Sequence, residues 1–294
     1  MSDLPHLVDA HHHVWDLDLR PQPWLDEPGH EPIRRSFSSH ALRSAATRPI
    51  AGRRLTSTVV VQCVTSVPET RELLALANED PLIGAVVGWA DLTSPAIGDV
   101  LDALRSGPGG RYLRSLRHLV QGESDPYWLQ RPDVERGLRA VGERGLAYDV
   151  LVRSHQLPQA IRLADRFPEL PLVLDHAGKP PVAEGDLDGW EREVRRLAAR
   201  EQVRCKVSGL VTEADHEKWT VDDIRPVWDV LLDAFGPDRL MFGSDWPVCV
   251  LAGGWNRWAA TVDELLTDCA EGDVQAVLAD TATAFYQLTE APCS

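Results

Sequence analysis

The chain holds 294 residues, with 30 Lys and Arg against 45 Asp and Glu and a formal net charge of −15. That field repels phosphate backbones and no basic run offsets it, so a nucleic-acid partner is disfavoured. At 44% hydrophobic and 26% charged residues the composition is globular, and no apolar stretch approaches the roughly 18 residues that span a bilayer, so no membrane partner is expected.

The opening MSDLPHLVDAHHH lacks the charged and apolar regions of a signal peptide, and the expectation is a soluble chain used whole. Cys63, Cys205, Cys249, Cys269 and Cys293 are odd in number, scattered and free of any C-x-x-C. They point to a reducing, cytoplasmic compartment rather than a disulfide frame or a zinc ribbon.

In chain order, the first β-rich run, 7–11, ends in His11-His12-His13 and is followed by an irregular region, 15–37, containing five prolines and glycines. Further strands are predicted over 57–63, 83–92, 113–120, 146–152, 170–177, 203–210 and 239–246. Between them lie segments of helical period. Ser66 with Glu69 and Thr220 with Asp223 have capping-box spacing, Pro95 and Pro132 suit a first helical turn, and Gly107, Gly145 and Gly236 suit helix ends. After the eighth strand, 256–268 and 272–288 read as two helices, the last laid across the outside of the sheet. Eight such β units make the chain an α/β protein and predict a (β/α)8 TIM barrel with an irregular loop after strand 1 and an extra C-terminal helix. A doubly wound open sheet is the runner-up. No low-complexity linker divides the sequence, so residues 1–294 are expected to form a single domain.

In a barrel, ligands bind where strands end and βα loops begin. The strand period of two places His11 and His13 on one side and His12 on the other, where it is assigned to structure. A lone histidine at a strand end, such as His176, is more often a hydrogen-bonded core residue, and a lone aspartate such as Asp245 is more often a helix cap. Ring closure brings strands one, six and eight to one mouth, however. There His11, His13, His176 and Asp245 supply the donors to bind a zinc-like ion or, without metal, to polarise a carbonyl and activate water.

The wording around these residues resembles a known family: DAHHHVWD at 9–16, LDHAGKP at 174–180, CKVSGL at 205–210 and MFGSDWP at 241–247, with VGWADL at 87–92 and LRH at 116–118. It is similar to the amidohydrolase superfamily, in the branch that holds sugar lactonases and 2-pyrone-4,6-dicarboxylate lactonase. The resemblance implies hydrolysis of a cyclic ester, with Asp245 as general base, His176 catalytic, and His11, His13, His176 and Asp245 as metal ligands. Many members bridge two metals through a lysine on strand four, but 113–120 contains none, so a binuclear centre is not expected. One divalent ion, zinc preferred for imidazole ligation, and a metal-free site both stay open.

Substrate contacts are expected from Gln62, Trp89, Arg117, His118, Arg153, Lys206 and Trp246. For Arg153 and Lys206 a salt bridge inside the mouth is an equal alternative. Trp15 and Trp24 could offer flat faces to a sugar ring, and His155 could approach from the loop after strand five. The Arg117-His118 pair resembles the sugar-lactonase form of strand four, which suggests a fucono-, rhamnono- or galactono-lactone. A doubly charged pyrone would call for clustered arginines. A decarboxylase of the same superfamily, a non-catalytic sugar-acid binder and an amide hydrolase are the rivals. Absence of Gly-x-Ser-x-Gly, of the P-loop motif and of Gly-x-Gly-x-x-Gly argues against a serine acyl-enzyme and a nucleotide cofactor. The sequence leaves open a homo-oligomer.

Overall fold

The computed structural model describes residues 5–288. Eight parallel strands form one sheet in sequential order: β1 (His6–His12), β2 (Arg54–Val61), β3 (Ile83–Gly88), β4 (Leu113–His118), β5 (Ala147–Val150), β6 (Leu172–Leu174), β7 (Val203–Val207) and β8 (Leu240–Phe242). The ring closes just past the end of β8, where Asp245 N donates to His11 O at 2.8 Å and His13 N donates to Trp246 O at 2.7 Å. The result is the expected (β/α)8 barrel.

The helices that pack outside include α1 (Ser39–Ala45), α2 (Val67–Glu79), α3 (Ile97–Ser106), α4 (Pro132–Glu143), α5 (Leu157–Arg166), α6 (Asp188–Ala198), α7 (Val221–Phe235) and α8 (Gly254–Leu265). Their start signals operate largely as the sequence indicates. Ser66 Oγ accepts from Glu69 N, and Thr220 and Asp223 form a reciprocal box. Pro132 opens α4, but Pro95 lies two residues before α3 rather than in its first turn. Among the described residues no helix is long and apolar enough to cross a membrane.

Most predicted strands overrun the observed ones, and three do so by four or five residues, for local reasons. The 83–92 run stops at Gly88 because Thr70 Oγ1 of α2 takes over the backbone of Trp89, accepting from its N at 2.8 Å and donating to its O at 2.9 Å. The 170–177 and 239–246 runs shrink to β6 and β8 because His176, Ala177 and Asp245 adopt φ of 52°, 52° and 54°. Left-handed backbone cannot continue a strand, and for non-glycine residues it is strained.

The C-terminal segment also differs from expectation. It breaks into α9 (Glu271–Gln275), a π-helical turn (Ala276–Asp280) and α10 (Thr281–Tyr286). Rather than lying outside, it plugs the N-terminal end of the barrel. Ala279, Ala282, Tyr286 and Leu288 pack with Val8, Ala10, Val59, Val61, Ala85, Val87, Val173 and Met241 in a cluster separate from the strand–helix core. Arg114, at the start of β4, donates to Gln287 O at 3.3 Å from the rim of that plug.

Candidate active site

At the opposite end, the four expected residues converge. His11 Nε2 lies 3.3 Å from His13 Nε2, and Asp245 Oδ1 lies 3.9, 3.5 and 3.9 Å from Nε2 of His11, His13 and His176 respectively. All four are buried. His12 points away to Thr58 Oγ1, as the strand period requires. Asp9 straps the seam of the barrel: its Oδ1 accepts from Ser244 N at 2.8 Å and from His11 N at 3.1 Å, and its Oδ2 accepts from Ser244 Oγ at 2.5 Å. Burial pushes the Asp9 carboxyl up to about 7 even against these donors.

Hydrogen bonds orient each imidazole. His13 Nδ1 lies 2.8 Å from Val61 O, a pure acceptor, so it carries the proton, and a neutral ring turns its Nε2 lone pair toward Asp245. Arg117 Nη1, a pure donor, sits 3.3 Å from His11 Nε2, while His11 Nδ1 faces Asp175 Oδ1 at 3.4 Å. Lys206 Nζ, a second donor, lies 3.1 Å from the same Nδ1, so that nitrogen has an acceptor and a donor within reach and both ring nitrogens of His11 face a cation. His176 Nδ1 meets Ser208 Oγ at 2.9 Å. A hydroxyl serves either tautomer, so His176 Nε2 can act as a donor or as a lone pair. Lone pairs and a carboxylate at these separations repel unless a proton or a cation lies among them. His11, His13 and Asp245 offer ligand atoms within 4.8 Å of one another, a set that fits a single divalent ion, and His176 groups in the same way with His11 and Asp175.

Burial lowers the His11 imidazole well below its ordinary range, helped by the Lys206 ammonium, and burial takes His176 down to about 4. Burial also works to raise the Asp245 carboxyl, but His176, His13 and Lys179 outweigh it and hold the group below the usual carboxylate range.

His13, His176 and Asp245 line a cavity of about 640 Å³, with His11 wholly buried beneath them. Of the expected substrate contacts, Arg117 and Arg153 line it. Gln62, Trp89, His118, Lys206 and Trp246 do not. Gln62 donates through Nε2 to Arg117 O at 3.2 Å, Trp89 Nε1 donates to His118 Nδ1 at 3.0 Å, and His118 stacks on Trp128 at 4.0 Å. Trp246 packs edge-on against Phe37, and His155 lies outside the cavity. Lys206 is wholly buried and spent on Asp149 Oδ2 at 2.6 Å and Asp175 Oδ1 at 3.0 Å. Trp24 reaches the wall from the irregular loop, with Glu27 and His30, whereas Trp15 packs beneath it. Sequence reasoning missed Asp9, Asp149, Asp175 and the Lys179–Glu213 pair (2.8 Å) on the wall. An acidic residue directly before His176 was the available signal for Asp175.

Gly209 shows how closely the site is built. Its φ is +62°, and a Cβ there would fall 2.6 Å from His176 Nδ1 and 3.1 Å from Asp245 Oδ2. Gly209→Ala is expected to cut kcat/KM by about 10²-fold through misplacement of those groups. Gly185→Ala is the control for backbone strain alone, since φ is +73° and nothing lies within 4 Å. Steady-state kinetics on both variants checks this, and equal losses would refute it.

A family model described as Amidohydrolase matches residues 8–288. The chain is 37% identical to an L-fucono-1,5-lactonase of Burkholderia multivorans over 96% of each chain, and 34% identical to one of Burkholderia ambifaria over 96% of this chain and 95% of that one. A crystal structure of an amidohydrolase from Burkholderia multivorans with bound zinc superposes with a TM-score of 0.89 at 35% identity, covering 97% of this chain and all of that one (100%).

Proposed function

The chain belongs to the amidohydrolase family, and from that premise we propose that it is a lactonase that opens the cyclic ester of a sugar aldonolactone of the fucono-, rhamnono- or galactono- class. The convergence of three imidazoles on Asp245 Oδ1, with His13, His176 and Asp245 open to the cavity, carries this reading. The Burkholderia relatives named as L-fucono-1,5-lactonases support the substrate class.

Asp245, ionised and held by its imidazole neighbours, takes a proton from a water molecule placed above the floor. The hydroxide equivalent adds to the lactone carbonyl. His176 Nε2, 3.9 Å from Asp245 Oδ1, is the donor available to the resulting oxyanion, since Arg117 Nη1 is engaged by Asp175 Oδ2 at 3.0 Å, and one such donor is typically worth about 10² to 10³ in rate. Collapse of the tetrahedral centre breaks the ring ester bond, and Asp245 returns its proton to the departing ring oxygen, giving a hydroxy acid. His11, His13, His176 and Asp245 are the residues that would hold one divalent ion, zinc first, which when bound polarises the carbonyl and acidifies water.

The cavity wall favours a neutral ring. Arg117, Arg153 and Lys179 are matched by Glu27, Glu213 and Asp245, and Gln121, Thr65, Thr212 and His30 add hydrogen-bonding groups suited to hydroxyls. A dicarboxylate would meet as many carboxylates as cations. In a pH-indicator screen of lactones, run with and without added zinc, turnover is expected for neutral aldonolactones. Turnover confined to 2-pyrone-4,6-dicarboxylate would remove the sugar reading.

A further inference from the structure

The interior of the barrel is chemically divided. Val8, Ala10, Val59, Val61, Ala85, Val87 and Met241 make one side apolar, whereas Ser115, Arg117, Asp149, Asp175 and Lys206, from β4 to β7 and the turn after β6, form a buried polar network on the other. Asp149 is its hub. Its Oδ1 accepts from Ser115 Oγ at 2.5 Å, and its Oδ2 accepts from Lys206 Nζ at 2.6 Å and from Tyr286 OH at 2.8 Å. Lys206 Nζ in turn lies 3.1 Å from His11 Nδ1. A continuous line of polar contacts therefore runs from the C-terminal plug, through the barrel axis, to the His11 ring just beneath the cavity, 3.3 Å from His13 on its wall.

We infer that Tyr286 is a positioning residue of the active site, acting from the far end of the barrel through Asp149 and Lys206 on the orientation of His11. The geometry supports this over simple packing in two ways. The Tyr286 ring already fills its place in the apolar plug, so the hydroxyl is needed only for the network. Lys206 has buried carboxylates on both sides, Asp149 and Asp175, and removing a donor from Asp149 redistributes its hold on the ammonium next to His11. Groups that hold a functional imidazole directly typically affect activity by about 10- to 100-fold, and Tyr286, two contacts further out, falls at the low end.

Because the inference rests on the lactonase reading, its test has a kinetic and a substrate-free arm. Tyr286→Phe keeps the ring and removes the hydroxyl. It is expected to lower kcat about tenfold with KM within about twofold, and to move the His11 imidazole ¹⁵N signals, assigned by their loss in His11→Gln. Arg114→Ala, which loosens the same plug at Gln287 without touching Asp149, should lower the melting temperature and leave kcat and the ¹⁵N signals unchanged. If Tyr286→Phe does not fold, Ser115→Ala removes another donor from the same carboxylate and should show the same split. Unchanged kcat and unchanged ¹⁵N shifts in the folded variant overturn the inference, as do equal losses in Arg114→Ala. If wild-type protein opens no lactone, the lactonase reading falls, and the ¹⁵N arm alone decides the positioning role.

Discussion

Asp245→Asn is expected to lose about 10³-fold in lactone turnover while binding substrate and melting close to wild type. The amide keeps the size and one acceptor of the carboxylate but cannot take a proton from water. Asp245 Oδ1 is the atom on which the three imidazoles converge, at 3.9, 3.5 and 3.9 Å, and His176, His13 and Lys179 hold the carboxyl below the usual carboxylate range despite burial. The left-handed φ of 54° belongs to the backbone, and asparagine tolerates that region about as well as aspartate. A folding defect is therefore not built into the substitution. Single-turnover kinetics and a calorimetric titration with the hydroxy-acid product check both halves. Retained turnover would move the base elsewhere.

The second large effect is on stability. Lys206→Met replaces a buried ammonium by a side chain of similar length and leaves Asp149 and Asp175 facing each other without their shared cation. Removing one partner from a buried ion pair costs about 3 to 5 kcal/mol, which for a protein of this size is a fall of about 10 °C in melting temperature. The pH dependence has a definite sign. In the wild-type protein burial works to raise the Asp175 carboxyl, but Lys206, His11 and Arg117 hold it well below its ordinary range. Its contribution is therefore present above the unfolded value and is lost as acid protonates it. In the variant the carboxyls are raised instead, the folded state binds the extra proton, and stability recovers as pH falls. Melting curves at about pH 8 and about pH 5, on either side of the histidine range, should show the deficit shrinking at the lower value. A constant deficit would mean that Lys206 acts by packing alone.

Much of the architecture was readable from residue order. Eight β-branched runs separated by capped helical segments leave few alternatives to a closed parallel barrel, and strand periodicity placed His11 and His13 together and His12 apart. What could not be read was how strands end. Ala90 and Leu92, or Ala177 after His176, are apolar enough to extend a strand on paper, and only the left-handed turns and the intervention of Thr70 show that they do not. Lys206 was legible as an even choice between a ligand contact and a salt bridge inside the mouth, and the salt bridge is what forms. Periodicity gives the direction of a side chain, not which carboxylates wait for it, and those on β5 and beyond β6 were not named. The 272–288 segment was expected on the outer surface, and its place at the N-terminal end of the barrel, and with it Tyr286, had no signature in the chain.

The bond between Tyr286 and Asp149 joins residues 137 positions apart. Asp149 and Lys206 are made well before the tyrosine that completes their hydrogen bonding, so the buried axis between the plug and the catalytic end can close only once the C-terminal segment is in place.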